Sequence, residues 1–512
     1  MNYFSKKTAE ISVLLFLIYL AIILALEVGA GYRLFVLAFL LLLPWAFVLW
    51  RIQRNRTVAQ EISACKTNNN SSYLFPALAG IIVLICSLLF WFAFFPGFFN
   101  LDADGQWLQA HGLIPYSDWH PLGSTLLIRL ILSIHDSLEF YIAVQLVFFA
   151  LSFSNLIYAL QKYNLPMSVL IGMAVFTGLS PAIGLNSISV TKDVQFTILI
   201  MNVTACMIRI IQTKGLWLIK PGHIVLLSCL LGLASLVRHN GILFVFSALL
   251  LLMLLYSSQL RRVMITALIT ILIVFTIKFP VSVLLNVEPH DNVKGEIIGI
   301  PMGIMGNALI SDPEHIPEDV HIFLNRFAPD SVWNAYYVPG EWDSCKWDFN
   351  SDEVLRATPL SVILHYTWET IIACPESSYD SFRLNTKIVW DVIHTEAFWI
   401  PEEYIAPNEF GIESKANGIL HGLGEKAKIV SMLPVLSSLI WNTGFQTGLI
   451  IIVFCFLGYY LNPKCLLLVL PLMIYNWGTM LLLAGPNQRY FYCNGVLFLP
   501  IVACMVCEGS RK

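Results

Sequence analysis

The sequence predicts an all-α polytopic membrane protein of about twelve transmembrane helices, with a mixed, mainly helical external domain near the C-terminal third. Three observations predict it. Of 512 residues, 57% are hydrophobic and only 12% charged, and the mean hydropathy is +0.72, too apolar for a soluble chain of this size. The apolar residues fall in repeated runs of roughly 18 to 23, each enough to cross about 30 Å of hydrocarbon as a helix. Lys and Arg collect in alternate loops, as they do when helices are threaded back and forth across a bilayer.

Taken in order, the spans read as 11–28, 33–50, 74–95, 139–160, 166–184, 194–211, 221–237, 240–257, 264–285, 441–461, 465–484 and 488–507. The first run follows Lys6 and Lys7 as a signal peptide would, but no small-residue cleavage site separates it from the second, so it reads as a retained helix. Residues 1–72 thus form a hairpin and a polar connector that ends in Asn68, Asn69, Asn70, Ser71 and Ser72. Residues 73–285 read as a transmembrane core interrupted by an acidic external loop, 96–138, in which the apolar stretch after Pro121 is too short to span and lies along the interface. Residues 286–440 shift to a mixed composition and read as an external, periplasmic or extracellular domain, with helical amphipathic patterns at Ser361 to Cys374 and Asp380 to Ile393. Residues 441–512 return to the membrane.

One side of the bundle receives Lys6, Lys7, Arg51, Arg54, Arg56, Lys66, Lys162, Arg209, Lys214, Lys220, Arg261, Arg262, Lys464, Arg511 and Lys512. The positive-inside rule makes that side cytoplasmic, with both termini. The net charge of −3 says little about partners, because a bundle's charges act locally at loops, and no basic tract rich enough for nucleic acid is present. Most of the eleven cysteines lie in apolar spans. Cys345 and Cys374 are both external and form a candidate disulfide. Cys504-x-x-Cys507, with no second pair, reads as packing.

The external side carries the residues with chemical potential. Asn100-Leu101-Asp102-Ala103-Asp104-Gly105-Gln106 sets two carboxylates two residues apart just beyond a span. Such carboxylates can take a proton from a hydroxyl nucleophile, hold a divalent cation such as magnesium or manganese against phosphate oxygens, or simply cap the next helix. In Asp118-Trp119-His120-Pro121 the proline holds His120 extended, where it can donate to a phosphate, relay a proton with Asp118 or anchor the loop. Lys192-Asp193, Arg238-His239-Asn240 and Arg489-Tyr490 occupy three further external turns. Single cations there read as snorkelling anchors; three on the side opposed to the positive-inside bias point to an anionic ligand. Tyr336 to Asp343 is rich in aromatics and carboxylates of the kind that contact sugars.

Pro96-Gly97, Asp102 or Asp104 with Gln106, Ser117 to Pro121 with Thr125, Lys192-Asp193, Arg238 to Gly241 and Arg489-Tyr490 together resemble the bacterial multispanning glycosyltransferases of the GT-C class. The N-terminal hairpin before the acidic loop departs from the simplest pattern. The resemblance implies an enzyme that takes a sugar from a polyprenyl phosphate, a lipid-linked donor, to a glycan or lipid acceptor. Asp102 or Asp104 would be the base, and Lys192, Arg238, His120 and Arg489 would hold the phosphate. Gln106, Asp118, Asp193, His239, Asn240 and Tyr490 complete the implied substrate site. A polymerase or ligase of lipid-linked oligosaccharides shares these needs. A transporter or flippase would place its charges near mid-membrane, where Lys278 is a rare example.

Overall fold

The computed structural model describes residues 73–163, 165–289, 293–392, 401, 403–457, 463–482 and 484–509. The described part is helical, and its only strand-like contacts are isolated bridges such as Phe98 with Ser189 and Phe99 with Ile405. The first helices are α1 Leu74–Ala93, α2 Leu101–His111, α3 Leu122–Leu132 and α4 Leu138–Gln161. They are followed by α5 Met167–Leu179, α6 Pro181–Ser187, α7 Lys192–Gln212, α8 Pro221–Val237 and α9 Gly241–Leu255. A continuous helical stretch, α10, runs Ser257–Leu284.

Among the described residues, five helices are long and apolar enough to cross a membrane: α1, α4, α7, α10 and Gln488–Glu508. A sixth arises if α5 and α6, bent by 58° at their junction, count as one. The break has a local cause. Ser180 precedes Pro181 and sits in an extended conformation, and Pro181 lacks the amide needed to continue the hydrogen-bond ladder.

The expected number of about twelve is therefore not matched by helix length. The spans expected at 221–237, 240–257, 441–461 and 465–484 are helices of 17, 15, 15 and 15 residues. At a rise of about 1.5 Å per residue the described parts of these helices cover less than a full hydrocarbon crossing, the third being described only as far as Leu457. The two spans expected at 11–28 and 33–50 lie outside the described residues. As expected, α3 is an apolar helix of 11 residues, too short to span.

The segment of mixed composition contributes α11 Val293–Ile297, α12 Gly299–Ser311, α13 Glu318–Asn325, α14 Asp330–Tyr336, α15 Ser351–Ala357, α16 Leu360–Ala373 and α17 Pro375–Trp390. These enclose a separate core around Trp333 and Trp342, both fully buried. The later segment turns back to the acidic loop: Phe99 donates to Tyr404 at 3.0 Å, and Ala406 donates to Phe99 at 2.6 Å, both through the backbone. Helix α18, Gly418–Ser431, then packs on α1 through Gly424, where an added Cβ would lie 2.8 Å from the Phe94 ring. The chain ends with α19 Pro434–Ile440, α20 Thr443–Leu457, α21 Leu466–Met480 and α22 Gln488–Glu508.

The proposed Cys345–Cys374 disulfide is corrected by the structure: both thiols are free and buried. Cys345 sits in the tryptophan core and contacts the Trp342 carbonyl at 3.7 Å, whereas Cys374 ends α16 beside Asp312. Burial pushes their thiols up, to about 12 and about 11, which keeps them protonated at neutral pH.

Candidate functional site

The acidic loop acquires its geometry from two local devices. Phe98 donates to the Ile188 carbonyl at 3.0 Å and accepts from Val190 at 3.1 Å, which fixes the chain beside the start of α7. Gly97 makes the approach possible: its φ of +123° is open to glycine, and a Cβ there would lie 2.7 Å from the Ile188 oxygen. Asn100 then accepts a hydrogen bond from the Ala103 amide at 2.9 Å and starts α2 as its N-cap. Asp102 and Asp104 consequently lie in the first turn of α2, where the helix dipole favours a carboxylate.

The two carboxylates part company. Positions two apart on a helix face away from each other. Asp102 turns towards Arg489, whose Nη2 donates to Oδ2 at 2.8 Å. Burial would raise the Asp102 carboxyl, but Arg489, Lys192 and His120 outweigh it and hold it below its ordinary value. Asp104 lies on the other side, where burial and the neighbouring Glu409 raise its carboxyl. Its buried Oδ1 has no hydrogen-bond partner among the described residues.

Two cations complete the arrangement around Asp102. Lys192 is the first residue of α7, and Arg489 lies in the short turn that begins α22, where Asn487 accepts from the Arg489 amide at 3.1 Å. A cation at a helix N-terminus opposes the dipole, so neither position is explained by its own helix. Asp102 supplies the compensation. Lys192 Nζ also donates to His120 Nδ1 at 3.4 Å. Burial lowers His120 to about 3, with the Lys192 charge as the next cause, so the imidazole is neutral near pH 7.

Arg238 is elsewhere. It ends α8 and forms an ion pair with Asp193 in which the two side chains are 5% and 2% exposed. The guanidinium lies 5.8 Å from the Tyr475 ring and 5.1 Å from that of Tyr490. This pair forms the floor beneath the cluster and is closed to solvent. Tyr490 links the levels, since Arg489 stands 5.3 Å from its ring.

The remaining expected residues have structural engagements. Gln106 donates to Ser124 Oγ at 3.0 Å and Thr125 Oγ1 at 3.3 Å, tying α2 to α3. His239 is exposed, and its Nε2 lies 3.1 Å from the Asp118 carbonyl. Asp118 donates its amide to the Glu288 carbonyl, and Asn240 starts α9 without a side-chain cap.

One wall of the site is anticipated only in part by the sequence: Asp343 belongs to the aromatic and acidic segment Tyr336 to Asp343, whereas Glu296 and Lys346 are not singled out. Lys346 pairs with both Glu296 and Asp343, and Glu296 lies within electrostatic reach of Lys192. The wall is brought in by the 484–485 turn next to Arg489, where Asp343 donates its amide to the Ala484 carbonyl at 3.0 Å. Glu296 and Lys346 lie 50 positions apart in sequence, without a spacing motif that would link them.

A divalent cation does not fit the Asp102 and Asp104 pair. The carboxylates do not converge, and Asp102 already faces Arg489, Lys192 and His120. Among the described residues no group of three or more His, Cys, Asp and Glu side chains is placed to hold a metal ion. What the cluster can do is present one ionised carboxylate beside cations that an anionic ligand could share. Compared with known proteins, the chain matches no family model, no curated protein and no solved structure.

Proposed function

We propose that the protein is a membrane glycosyltransferase. It moves a sugar from a polyprenyl-phosphate carrier to a cell-envelope glycan or lipid acceptor on the external face of a plasma membrane, with inversion at the anomeric carbon. The observation that carries this reading is the convergence of Asp102, Arg489, Lys192 and His120 from separate helices and loops at the end of the apolar bundle. In this topology α8, α9, α20 and α21 are short crossings that bring the total to twelve with the two N-terminal runs, and both termini are cytoplasmic.

In the reaction, the acceptor hydroxyl attacks the anomeric carbon while the bond from that carbon to the phosphate oxygen breaks. The hydroxyl proton passes to Asp102, and the polyprenyl phosphate leaves with the bonding electron pair. Lys192 and Arg489 hold the phosphate as its charge grows, which is where fixed positive charge is most effective. Phosphate competes for Arg489 and releases Asp102 from its ion pair. Neutral His120 donates a hydrogen bond without adding charge. Asp104, turned away towards Glu409, supports the start of α2, and Arg238 stabilises the floor without touching substrate.

The test is transfer of radiolabelled sugar from a panel of polyprenyl-phosphate sugars in membranes with matched expression of wild type, Asp102→Asn and Asp104→Asn. Loss in Asp102→Asn with Asp104→Asn active supports the assignment. Transfer that survives Asp102→Asn removes it as the base, and no transfer by the wild type from any donor rejects the reading in favour of a polymerase, ligase or transporter.

A further inference from the structure

We propose that the apolar outer face of α18 and of the start of α19 is a membrane-surface anchor, seated at the boundary of headgroups and acyl chains in the leaflet to which the end of α1 leads. The assignment does not depend on the transferase reading. Ile419, Leu423 and Val430 recur at the spacing that sets them on one side of α18, and all three are exposed. Ile429 stands beside them, and Leu433 and Val435 carry the exposed surface past the end of the helix. Ile419 and Val435 are 83% and 84% exposed, so both would be left in water if nothing covered them.

The opposite side of α18 is packed, which fixes the outer face where it is. Buried Gly424 meets the end of α1, where an added Cβ would lie 2.8 Å from the Phe94 ring and 3.0 Å from the Ala93 Cβ. His421 Nδ1 lies 3.2 Å from the Ala93 carbonyl, and its ring meets that of Phe94 edge to face at 5.4 Å. Past the helix, buried Trp441 donates from Nε1 to Ser431 Oγ at 2.8 Å and ties the end of α19 back to α18. The apolar side chains therefore cannot turn inwards without breaking a formed contact.

Two observations select a bilayer as the cover. The first is continuity. α1 is long and apolar enough to cross a membrane, and its own Leu89 and Phe92 are exposed in the same last turns that hold α18. The chain then enters another apolar helix at Thr443, so the anchor lies between two elements of the apolar bundle. The second is Lys426, exposed within the apolar stripe seven positions after Ile419. A lipid surface suits this pattern, because the lysine stem lies along acyl chains while the ammonium reaches headgroup phosphates. An apolar protein pocket would have to bury that charge. Since α18 is pinned to the residues that lead into Pro96-Gly97 and Asn100, the anchor also sets the depth of the Asp102 carboxylate below the headgroups.

The experiment uses the full chain in vesicles of phosphatidylethanolamine and phosphatidylglycerol, with the photoreactive residue p-benzoylphenylalanine placed singly at Ile419, at Val435 or at the exposed Glu314 of the mixed-composition segment. After irradiation, mass spectrometry counts lipid adducts and gel electrophoresis counts chain-to-chain adducts. The expected result is at least about tenfold more lipid adduct at Ile419 and Val435 than at Glu314. All three positions are exposed, so the variants fold, and thermal midpoints verify it. Lipid adduct no greater than at Glu314 overturns the proposal, as do adducts formed mainly with a second copy of the chain, which would make the face a dimer contact.

Discussion

Two aspartate–arginine pairs stand close together in this protein, and they do different work. In the pair of Asp193 and Arg238 the side chains are 2% and 5% exposed, whereas in the pair of Asp102 and Arg489 they are 33% and 22% exposed. The first joins the start of α7 to the end of α8, with tyrosine rings above the guanidinium. The second joins a loop helix to the first turn of α22 and is shared with Lys192 and His120. A sealed ion pair has no partner to exchange with, so it holds geometry. An open one can trade its cation for a ligand's anion, so the same two residue types can carry chemistry.

The comparison breaks first at catalysis. Asp102→Asn should lower sugar transfer by roughly 10²- to 10⁴-fold, the usual worth of a general base. Asp193→Asn, if the protein stays folded, should leave the chemical step far less affected, as single-turnover measurement would show. Equal losses in the two variants would contradict the division of labour.

Stability should show the reverse ranking. Removing Arg238 alone, as Arg238→Met, leaves the Asp193 charge buried and should cost about 3 to 5 kcal/mol. The double change of Asp193→Asn with Arg238→Met should recover much of that loss, measured by thermal unfolding in detergent. Arg489→Met should shift the midpoint much less, because water can reach Asp102.

A smaller effect is expected at Lys192. One charge-assisted hydrogen bond contributes about 1.5 to 3 kcal/mol, so Lys192→Ala should lower kcat/KM for the donor roughly 10- to 100-fold, and Lys192→Arg should restore part of it. A change in kcat alone would place Lys192 with the transition state rather than the ground-state phosphate.

The last expected effect is a pH dependence. Burial and then the Lys192 charge hold His120 at about 3, against an ordinary value of 6.5. Between those values the unfolded chain binds a proton that the folded chain does not, so stability falls as pH drops from 6.5 towards 3. Above 6.5 the contribution is fully present. His120→Gln should therefore flatten the dependence of the midpoint on pH between about 6 and 4, on top of any constant offset seen at about pH 8. An unchanged slope would mean that the imidazole is hydrated and titrates normally.

Much of this arrangement is legible in the order of the residues. Uninterrupted apolar runs account for α1, α4, α7, α10 and α22, because no other backbone conformation satisfies its own hydrogen bonds over such a length in hydrocarbon. Asn100 followed by Asp102 marks a helix start by local chemistry alone. The shorter helices are legible too: the runs expected at 221–237 and 240–257 become Pro221–Val237 and Gly241–Leu255, with the Arg238 to Asn240 turn between them. Contacts between distant residues are not. Cys345 and Cys374 share a side and still do not meet, because each is drawn into its own packing environment.

What the sequence determined by itself is therefore the helical class and the apolar segments, with charged residues at the ends of helices, all consequences of local periodicity and solvation. Tertiary structure alone decided which arginine is sealed and which is open, that Asp102 and not Asp104 meets the cations, and that α18 packs on the end of α1. Those outcomes depend on contacts between residues as much as 387 positions apart, as for Asp102 and Arg489. A charge written in a sequence carries its sign, but its partner and its exposure are set only when distant helices pack.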